Sequence, residues 1–359
     1  MSAGLNMENV KRNNRAQILH LIHRQGPISR KDIADRLGLT PAAVTQICND
    51  FIRVDLLVEL GSEPGEQGKA GRKKILVELN PTYGCLCSIN MDSVRTEISL
   101  CNLRGERIDH EQIPTETQNT LPKQQLERIG EYCRELLRRN RIPKKRLIGA
   151  GVGVPGPVDK KAGVSLHAYG IWEEEVPVVS ILESCLERPV VLDNNVSAYA
   201  CAELLFGEGG LSKSAMLVKW GPGVGASLLL GGKVYEPEGG VAELGHFIVK
   251  PDGEKCSCGR RGCLETIVSE KAMQHKSGEQ RRQAIAHFAQ ALVNAGALVK
   301  PEKILLYGSM SRKDKEELVE ICSSYDPYYG PERILISSLT EKEAFIGPAA
   351  IFVDREVLV

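Results

Sequence analysis

"GHFIVKPDGEKCSCGRRGCLE", residues 245–265, is the most informative stretch of this 359-residue chain. It places Cys256, Cys258 and Cys263 within eight positions, and His246 lies ten positions before the first of them. One imidazole and three thiolates form the Cys3His set that suits tetrahedral zinc, and the intervening glycines allow the tight turns that such a site needs. We therefore predict a zinc ion at these four residues. Because four protein ligands leave no position for water, the predicted role is structural rather than catalytic.

The rest of the composition indicates a reducing compartment. The chain has eleven cysteines, and the other eight are scattered through apolar surroundings, where cysteines are usually buried, reduced thiols. A cysteine-rich turn without metal is the alternative for residues 245–265. The N-terminus is polar and basic, and no apolar run approaches a membrane span. With 42% hydrophobic and 26% charged residues, we expect a soluble, cytoplasmic protein of two or three domains.

A second signal lies near the N-terminus, in "GPISRKDIADRLGLTPAAVTQICNDFIRVDLLVEL", residues 26–60. Two short helical patterns flank a turn at Gly38, with Ser29 as the expected cap of the first helix and Thr40–Pro41 as the start of the second. Apolar residues recur at helical spacing and would face a small core. Two strand patterns, 57–60 and 74–79, then flank a basic, glycine-rich loop. The pattern predicts a winged helix-turn-helix domain.

The outward face of the second helix carries small and amide side chains, which suit base edges in a major groove. Basic residues of the following loop are placed to approach phosphate or a minor groove. Residues 1–80 hold 12 Lys and Arg against 9 Asp and Glu, the sign expected of a DNA-binding domain. The alternative is a helical protein-interaction module. The predicted DNA-binding residues are Arg30, Thr40, Ala43, Thr45, Gln46, Asn49, Arg72 and Lys73.

From residue 83 onward, strand and helix patterns alternate. Residues 83–108 read as hairpin strands, 122–140 as an amphipathic helix, and 146–159 as a buried strand that runs into a Gly/Pro loop. A strand, a polar turn and a helix follow in 189–209, and two strands joined through glycines follow in 214–237. This alternation favours an α/β protein.

Together, "GVGVPGPVD" (151–159), "AELGH" (242–246), "CSCGRRGCLE" (256–265) and the winged helix resemble the ROK family of repressors and sugar kinases. The resemblance implies an actin-like (ribonuclease H-like) α/β domain of two lobes behind the winged helix. We expect the DNA-binding domain over 1–80 and the ROK effector domain over 81–359. Its first lobe would comprise 81–192 and a C-terminal helix at about 340–359, and its second lobe 193–339 with the zinc motif.

The resemblance also implies a sugar or sugar-phosphate site between the lobes. Carboxylates and amides suit a polyhydroxyl ligand, because each can bind adjacent hydroxyl groups. Zinc would hold the two glutamates in place. Alternatively, the asparagines form a plain turn and the glutamates are solvated loop carboxylates. The matching positions are Gly156, Asn194, Asn195, Glu243, His246 and Glu265.

Several departures from the kinase members argue against an enzyme. The phosphate loop D-x-G-G-T-K reads "NMDSVR" at 90–95, and the second loop, usually G-T-G, reads Gly221-Pro222-Gly223. The kinases' general base falls on Asn195, whose amide cannot accept a proton at neutral pH. A further departure concerns the ligand rather than the catalysis. Where the family's sugar loop has an asparagine and a glycine before a tryptophan, this chain reads "HAYGIW" at 167–172, so Tyr169 would fill that space and the identity of the ligand stays open.

We therefore expect a transcriptional repressor of a carbohydrate operon, without enzymatic activity and without a membrane partner. It would act as a homodimer or homotetramer on palindromic operator DNA, and a sugar would close the cleft and change operator affinity. The alternatives are an ATP-dependent ROK sugar kinase with a regulatory DNA-binding domain and a zinc-dependent scaffold that binds no ligand.

Overall fold

The N-terminal part of the chain folds as a winged helix. The structure is a computed structural model that describes residues 7–61, 75–116, 121–207, 214–236 and 242–358. The elements of the N-terminal part are α1 (Met7–Gln25), β1 (Ile28–Ser29), α2 (Arg30–Leu37), α3 (Pro41–Arg53), β2 (Leu57–Leu60) and β3 (Leu76–Leu79). Strand β3 lies between β1 and β2, and both pairings are antiparallel.

Local signals set the helix-turn-helix boundaries as the sequence predicted. The Ser29 hydroxyl accepts a hydrogen bond from the Asp32 amide, and Thr40 caps α3 by accepting from the Ala43 amide. Gly38 ends α2 with φ 65°, a conformation that glycine adopts without steric cost. Helix α1 contributes the buried Ile18 to the same core and was not predicted from the sequence.

The first lobe is built on a five-stranded sheet with the order β10-β7-β4-β5-β6 among the described residues. Strands β4, β7 and β10 are parallel, whereas β5 and β6 continue the sheet as an antiparallel meander. A two-stranded hairpin, β8 and β9, follows β7. The bounds are β4 (Cys85–Met91), β5 (Arg95–Asn102), β6 (Arg107–Pro114), β7 (Leu147–Val154), β8 (Val158–Asp159), β9 (Val164–Ser165) and β10 (Val190–Asn194).

The second lobe repeats this topology, although the sequence shows no internal repeat. Its sheet has the order β13-β12-β11-β14-β15, with β11, β14 and β15 parallel and β11–β12–β13 antiparallel. Two sheets of one topology are the actin-like arrangement that the sequence predicted. The bounds are β11 (Ser214–Trp220), β12 (Val224–Leu230), β13 (Lys233–Val234), β14 (Lys303–Tyr307) and β15 (Ile334–Ile336).

Helices cover the sheets and fill the space between them. Helices α4 and α5 pack against the first sheet, α9 and α10 against the second, and α6 and α11 share one core with strands of both lobes. A Cβ atom at Gly151 would lie 1.8 Å from the Pro348 carbonyl oxygen, so glycine in β7 permits the close approach of α11. The bounds are α4 (Pro122–Arg139), α5 (Val178–Leu186), α6 (Asn195–Leu205), α7 (Glu265–Val268), α8 (Glu270–Met273), α9 (Gly278–Val299), α10 (Arg312–Tyr325) and α11 (Glu343–Phe352).

Two details differ from the sequence prediction. The expected polar turn before α6 does not exist as a separate segment, because Asn194 both ends β10 and caps α6. The expected C-terminal helix is α11 followed by a π-helical turn, Val353–Val357. Across the described ranges, no helix combines the length and apolar character that crossing a membrane requires.

Candidate functional site

The four predicted metal ligands converge at the edge of the second lobe. Their ligand atoms all lie within 4.8 Å of one another, and three of the four residues are buried. The Cys256 Sγ to His246 Nδ1 distance is 3.6 Å, and the Cys258 Sγ to Cys263 Sγ distance is also 3.6 Å. A tetrahedral zinc ion with Zn–S bonds of about 2.3 Å places its ligand atoms about 3.7 Å apart. The cluster therefore has the donor set and the spacing for a metal ion.

A cleft between the lobes contains all six residues predicted to bind sugar. It encloses a cavity of about 290 Å³, lined by Gly156 after β7, by Asn194 and Asn195 where β10 meets α6, and by Glu243, His246 and Glu265 of the second lobe. Ligand pockets usually measure roughly 300–1,000 Å³, so this cavity is of the size for one small molecule.

His246 connects the metal cluster to the cleft. Its Nδ1 faces Cys256, while its Nε2 lies 3.7 Å from Glu243 Oε2. Burial raises the pKa of Glu243, and the Glu265 carboxylate raises it further against the opposing effect of His246. Tyr169 closes the same corner, with its hydroxyl 3.5 Å from Glu243 Oε1. Burial, then Glu243, raises the Tyr169 pKa to about 12, so its hydroxyl is a donor at neutral pH.

The two asparagines have different surroundings. Asn194 is buried; its Oδ1 accepts from the Val196 and Ser197 amides, and its Nδ2 donates to the Gly156 carbonyl at 2.9 Å. Asn194 thus shapes the cleft with polar atoms that are already bonded. Asn195, the first residue of α6, is half-buried, and no hydrogen bond of its side chain to another described residue is found.

Glu265 and Gly156 are fixed by backbone contacts. Glu265 Oε2 accepts from the Val224 amide at 2.9 Å, which holds this carboxylate against the loop after β11. Gly156 has φ 90°, and a Cβ atom there would lie 2.5 Å from the His167 carbonyl oxygen. The position therefore requires glycine.

Some cleft residues come from strand ends and loops and were not predicted from the sequence. Ser93 and Lys219 line the cavity, and Lys219 Nζ lies 3.6 Å from Glu343 Oε1 across the lobes. A lysine inside the apolar strand pattern of β11 was the available signal. Buried Asp193 binds Lys160 at 2.8 Å and also pairs with Arg355, which secures the end of β10 beside the cleft.

The two loops that correspond to kinase phosphate loops use their own amides. In the first, the Asp92 carboxylate accepts from the Val94 and Arg95 amides at 2.8 and 2.9 Å. In the second, Gly221 N–H donates to the Gly223 carbonyl, and Pro222 has no N–H. The Val94 and Arg95 amides of the first loop and the Gly221 amide of the second are thus bonded within their own loops, and Pro222 has no amide to offer a phosphate.

The predicted DNA-binding residues lie mostly on one exposed face of α3. Thr45, Gln46 and Asn49 are exposed, and Ala43 is half-buried. Arg30 is turned toward the protein, where its guanidinium contacts Asn49 and Glu59. Thr40 is exposed and serves as the α3 cap. The remaining predicted residues, Arg72 and Lys73, lie outside the described residues.

Comparison with known proteins identifies the family. The ROK family profile matches residues 86–287, and the MarR family profile matches residues 9–67. The chain belongs to the ROK family. Its winged helix and its relatives indicate a DNA-binding transcriptional regulator of that family.

Two relatives carry regulator names. A putative xylose repressor of Caldicellulosiruptor sp. (strain Rt8B.4) is 31% identical over 265 residues, which are 74% of this chain and 65% of that protein, just under two thirds of its length. The DNA-binding transcriptional dual regulator NagC of Escherichia coli (strain K12) is 28% identical over 355 residues, covering 88% of this chain and 86% of NagC.

Solved structures share the fold. A ROK family transcriptional regulator described as a homologue of the E. coli MLC protein aligns with a TM-score of 0.77 at 23% identity and covers 95% of both chains. A ROK family glucokinase from Streptomyces griseus, solved with glucose and AMPPNP, aligns with a TM-score of 0.61 at 20% identity. The glucokinase match covers 75% of this chain and 99% of that chain.

Proposed function

We propose that this protein is a repressor of a carbohydrate-utilisation operon that binds operator DNA and responds to a sugar in its interlobe cleft. The main support for this proposal is that one chain combines two features. The predicted DNA-binding residues lie on an exposed face of α3, and all six predicted sugar-binding residues line one cleft. The names of the xylose repressor and NagC support the regulatory role.

The chemistry of the cleft favours a small polyhydroxyl ligand. Glu243 and Glu265 offer acceptors from the loops of the zinc motif, and Asn195 offers both a donor and an acceptor from the first turn of α6. Tyr169 stands beside them as an aromatic wall. A cavity of about 290 Å³ suits a single monosaccharide better than a nucleotide.

Zinc is the metal that the Cys3His cluster suits best, and its proposed role is to stabilise the cleft wall. His246, Cys256, Cys258 and Cys263 would hold the ion. Through His246 and the loop that ends at Glu265, the site would fix Glu243 and Glu265 relative to each other. When bound, zinc would cross-link His246 to the cysteines of this loop.

The protein is proposed to lack kinase activity. Each of the two loops that would hold phosphates uses some of its amides internally, at Val94 and Arg95 in the first and at Gly221 in the second. Glu270 adds a carboxylate beside the second loop, where it accepts from the Ser309 hydroxyl. Asn195 replaces the aspartate that serves the kinases as general base. Phosphoryl transfer needs positioning and charge stabilisation as well as a base. Asn195→Asp alone should therefore leave ATP-dependent sugar phosphorylation undetectable, and a turnover of about 1 per second would contradict the proposal.

Helix α6 offers a physical route from the cleft to the DNA-binding domain. It begins at Asn195 in the cleft and ends just before Phe206. The Phe206 ring packs edge-on against His23 of α1, with ring centroids 4.8 Å apart. Because most α6 side chains are buried, a displacement at its first turn would be transmitted to α1 by rigid packing.

Titration calorimetry with a panel of pentoses, hexoses and N-acetylated sugars tests the cleft. We expect one sugar to bind the wild type, and Glu265→Gln to weaken its binding by about tenfold to hundredfold, because a charged acceptor is lost. Glu254→Gln changes an exposed carboxylate of the same loop and should bind as the wild type does. Equal binding by both variants would reject Glu265 as a ligand contact, and no binding of any sugar would reject the sugar-responsive function.

A further inference from the structure

A three-residue network supports the exposed face of α3. Arg30, the first residue of α2, donates from Nη2 to Glu59 Oε1 at 2.6 Å and to Asn49 Oδ1 at 3.2 Å. The Arg30 side chain is only 18% exposed, whereas that of Glu59 is 45% exposed. Glu59 therefore holds the largely buried guanidinium of Arg30 in place. The same guanidinium contacts Asn49, which lies on the helix proposed to read DNA.

The chemistry of this contact fixes the orientation of the Asn49 amide. A guanidinium carries only donors, so the Asn49 atom that faces it must be the carbonyl oxygen. The Asn49 NH2 group consequently points away from Arg30. The Arg30–Glu59 bond is short and charge-assisted, so it is the stronger of the two anchors.

The fixed amide limits which base Asn49 can read. Asparagine reads adenine by accepting from N6 with its carbonyl and donating to N7 with its NH2 group. With the carbonyl engaged by Arg30, the two N–H donors are the group that Asn49 presents to DNA. The O6 and N7 atoms of guanine and the O4 atom of thymine accept from such donors, whereas adenine sets its N7 acceptor beside an N6 amine that requires the carbonyl as its partner. Gln46, one helical turn earlier, makes no side-chain hydrogen bond to another described residue and retains both functions.

We propose that Asn49 selects guanine or thymine rather than adenine, and that Arg30 and Glu59 are positioning residues that impose this choice. The inference rests on the proposed function, because it requires α3 to lie in the major groove. Of these two side chains, it assigns the adenine-type contact to Gln46.

Selection of bound duplexes from a randomised library, followed by sequencing, tests this inference with the full-length protein. Loss of preference in Asn49→Ala identifies the base pair that Asn49 contacts. At that pair we expect wild-type protein to favour guanine or thymine over adenine by about fivefold to tenfold. Arg30→Met keeps the buried stem and removes the donors, so the amide can rotate and the adenine penalty should fall to within about twofold.

Asn49→Asp provides the converse variant. One carboxylate oxygen would stay with Arg30 and the other would face DNA as an acceptor, so preference should move to cytosine or adenine, whose exocyclic amines donate. Gln46→Ala is the matched control and should relax preference at a different base pair. Thermal melting of each variant identifies any that has not folded, and the Asn49→Asp shift is then decisive on its own.

The outcomes separate the inference from the function on which it rests. Three results would overturn the inference and leave DNA binding intact. The wild type could select adenine at the base pair that Asn49 contacts, Arg30→Met could keep the wild-type base preference at that pair, or Asn49→Ala could keep the wild-type preference at every pair. If the wild type enriches no sequence, the proposed function fails as well.

Discussion

At the scale of single residues, His23 shows how burial sets a charge state. Its Nε2 lies 3.3 Å from the Leu103 carbonyl oxygen, and its buried Nδ1 has no hydrogen-bond partner among the described residues. Burial lowers the His23 pKa from 6.5 to about 4, and the Leu103 carbonyl only partly opposes this effect. The ring is therefore neutral at pH 7, at the junction of the winged helix and the ROK domain.

This pKa predicts loss of stability in mild acid. The unfolded state binds the proton below pH 6.5 and the folded state only near pH 4, so stability falls as the pH drops between these values. Between pH 7 and pH 5 the loss from His23 should be about 2 kcal/mol. Urea unfolding at the two pH values measures it, and His23→Gln should lose correspondingly less. That variant leaves the neighbouring titratable and charged residues unchanged, which are His20, Arg24, Glu78 and Arg104. If the wild type and His23→Gln lose the same free energy of unfolding between pH 7 and pH 5, the effect belongs to groups other than His23.

At the scale of elements, the metal-ligand loop is predicted to depend on its ion. About one zinc per chain is expected, and Cys258→Ser should lower both zinc content and melting temperature, because one thiolate ligand is lost. Sugar affinity should fall in parallel, since Glu243 and Glu265 lose their shared support. Elemental analysis and thermal unfolding provide the measurements, with Glu254→Gln, an exposed position of the same loop, as the control. A wild type without metal, or full zinc retention after loss of all three cysteines, would refute the assignment.

Elements with local signals were predictable, and those that depend on distant packing were not. Ser29, Thr40 and Gly38 fix the ends of α2 and α3 through hydrogen bonds and backbone angles within a few residues, so the sequence predicted them. Helix α1 has a weakly amphipathic sequence and is held by tertiary contacts of residues such as Ile18 and Ile22. Its existence therefore could not be read from local pattern.

The same distinction applies to the site. The Cys3His cluster was predictable because its spacing alone indicates metal chemistry, and the structure brings its ligand atoms together. The Arg30–Asn49–Glu59 network joins three elements, and the internal bonding of the phosphate-like loops depends on backbone geometry. Such features arise only when the chain has folded.

At the scale of the whole molecule, α6 and its contact with α1 are predicted to couple sugar and DNA binding. Phe206→Ala should leave operator affinity without sugar within about threefold of the wild type, and should remove most of the sugar-induced change. Operator titrations with and without sugar measure both. Tyr325→Ala, which changes an exposed aromatic residue far along the chain, is the control. A full sugar response in Phe206→Ala would exclude this route.

The most direct test of the whole account is a fluorescence titration of full-length protein on DNA from upstream of its own and neighbouring genes. With excess nonspecific competitor, we expect one segment to bind with a Kd of about 10⁻⁸ M or tighter at physiological salt. Addition of the cleft sugar should change that Kd by about fivefold to 150-fold. Affinity no greater than that for shuffled DNA of the same composition, with or without sugar, would contradict the assignment as a sugar-responsive repressor.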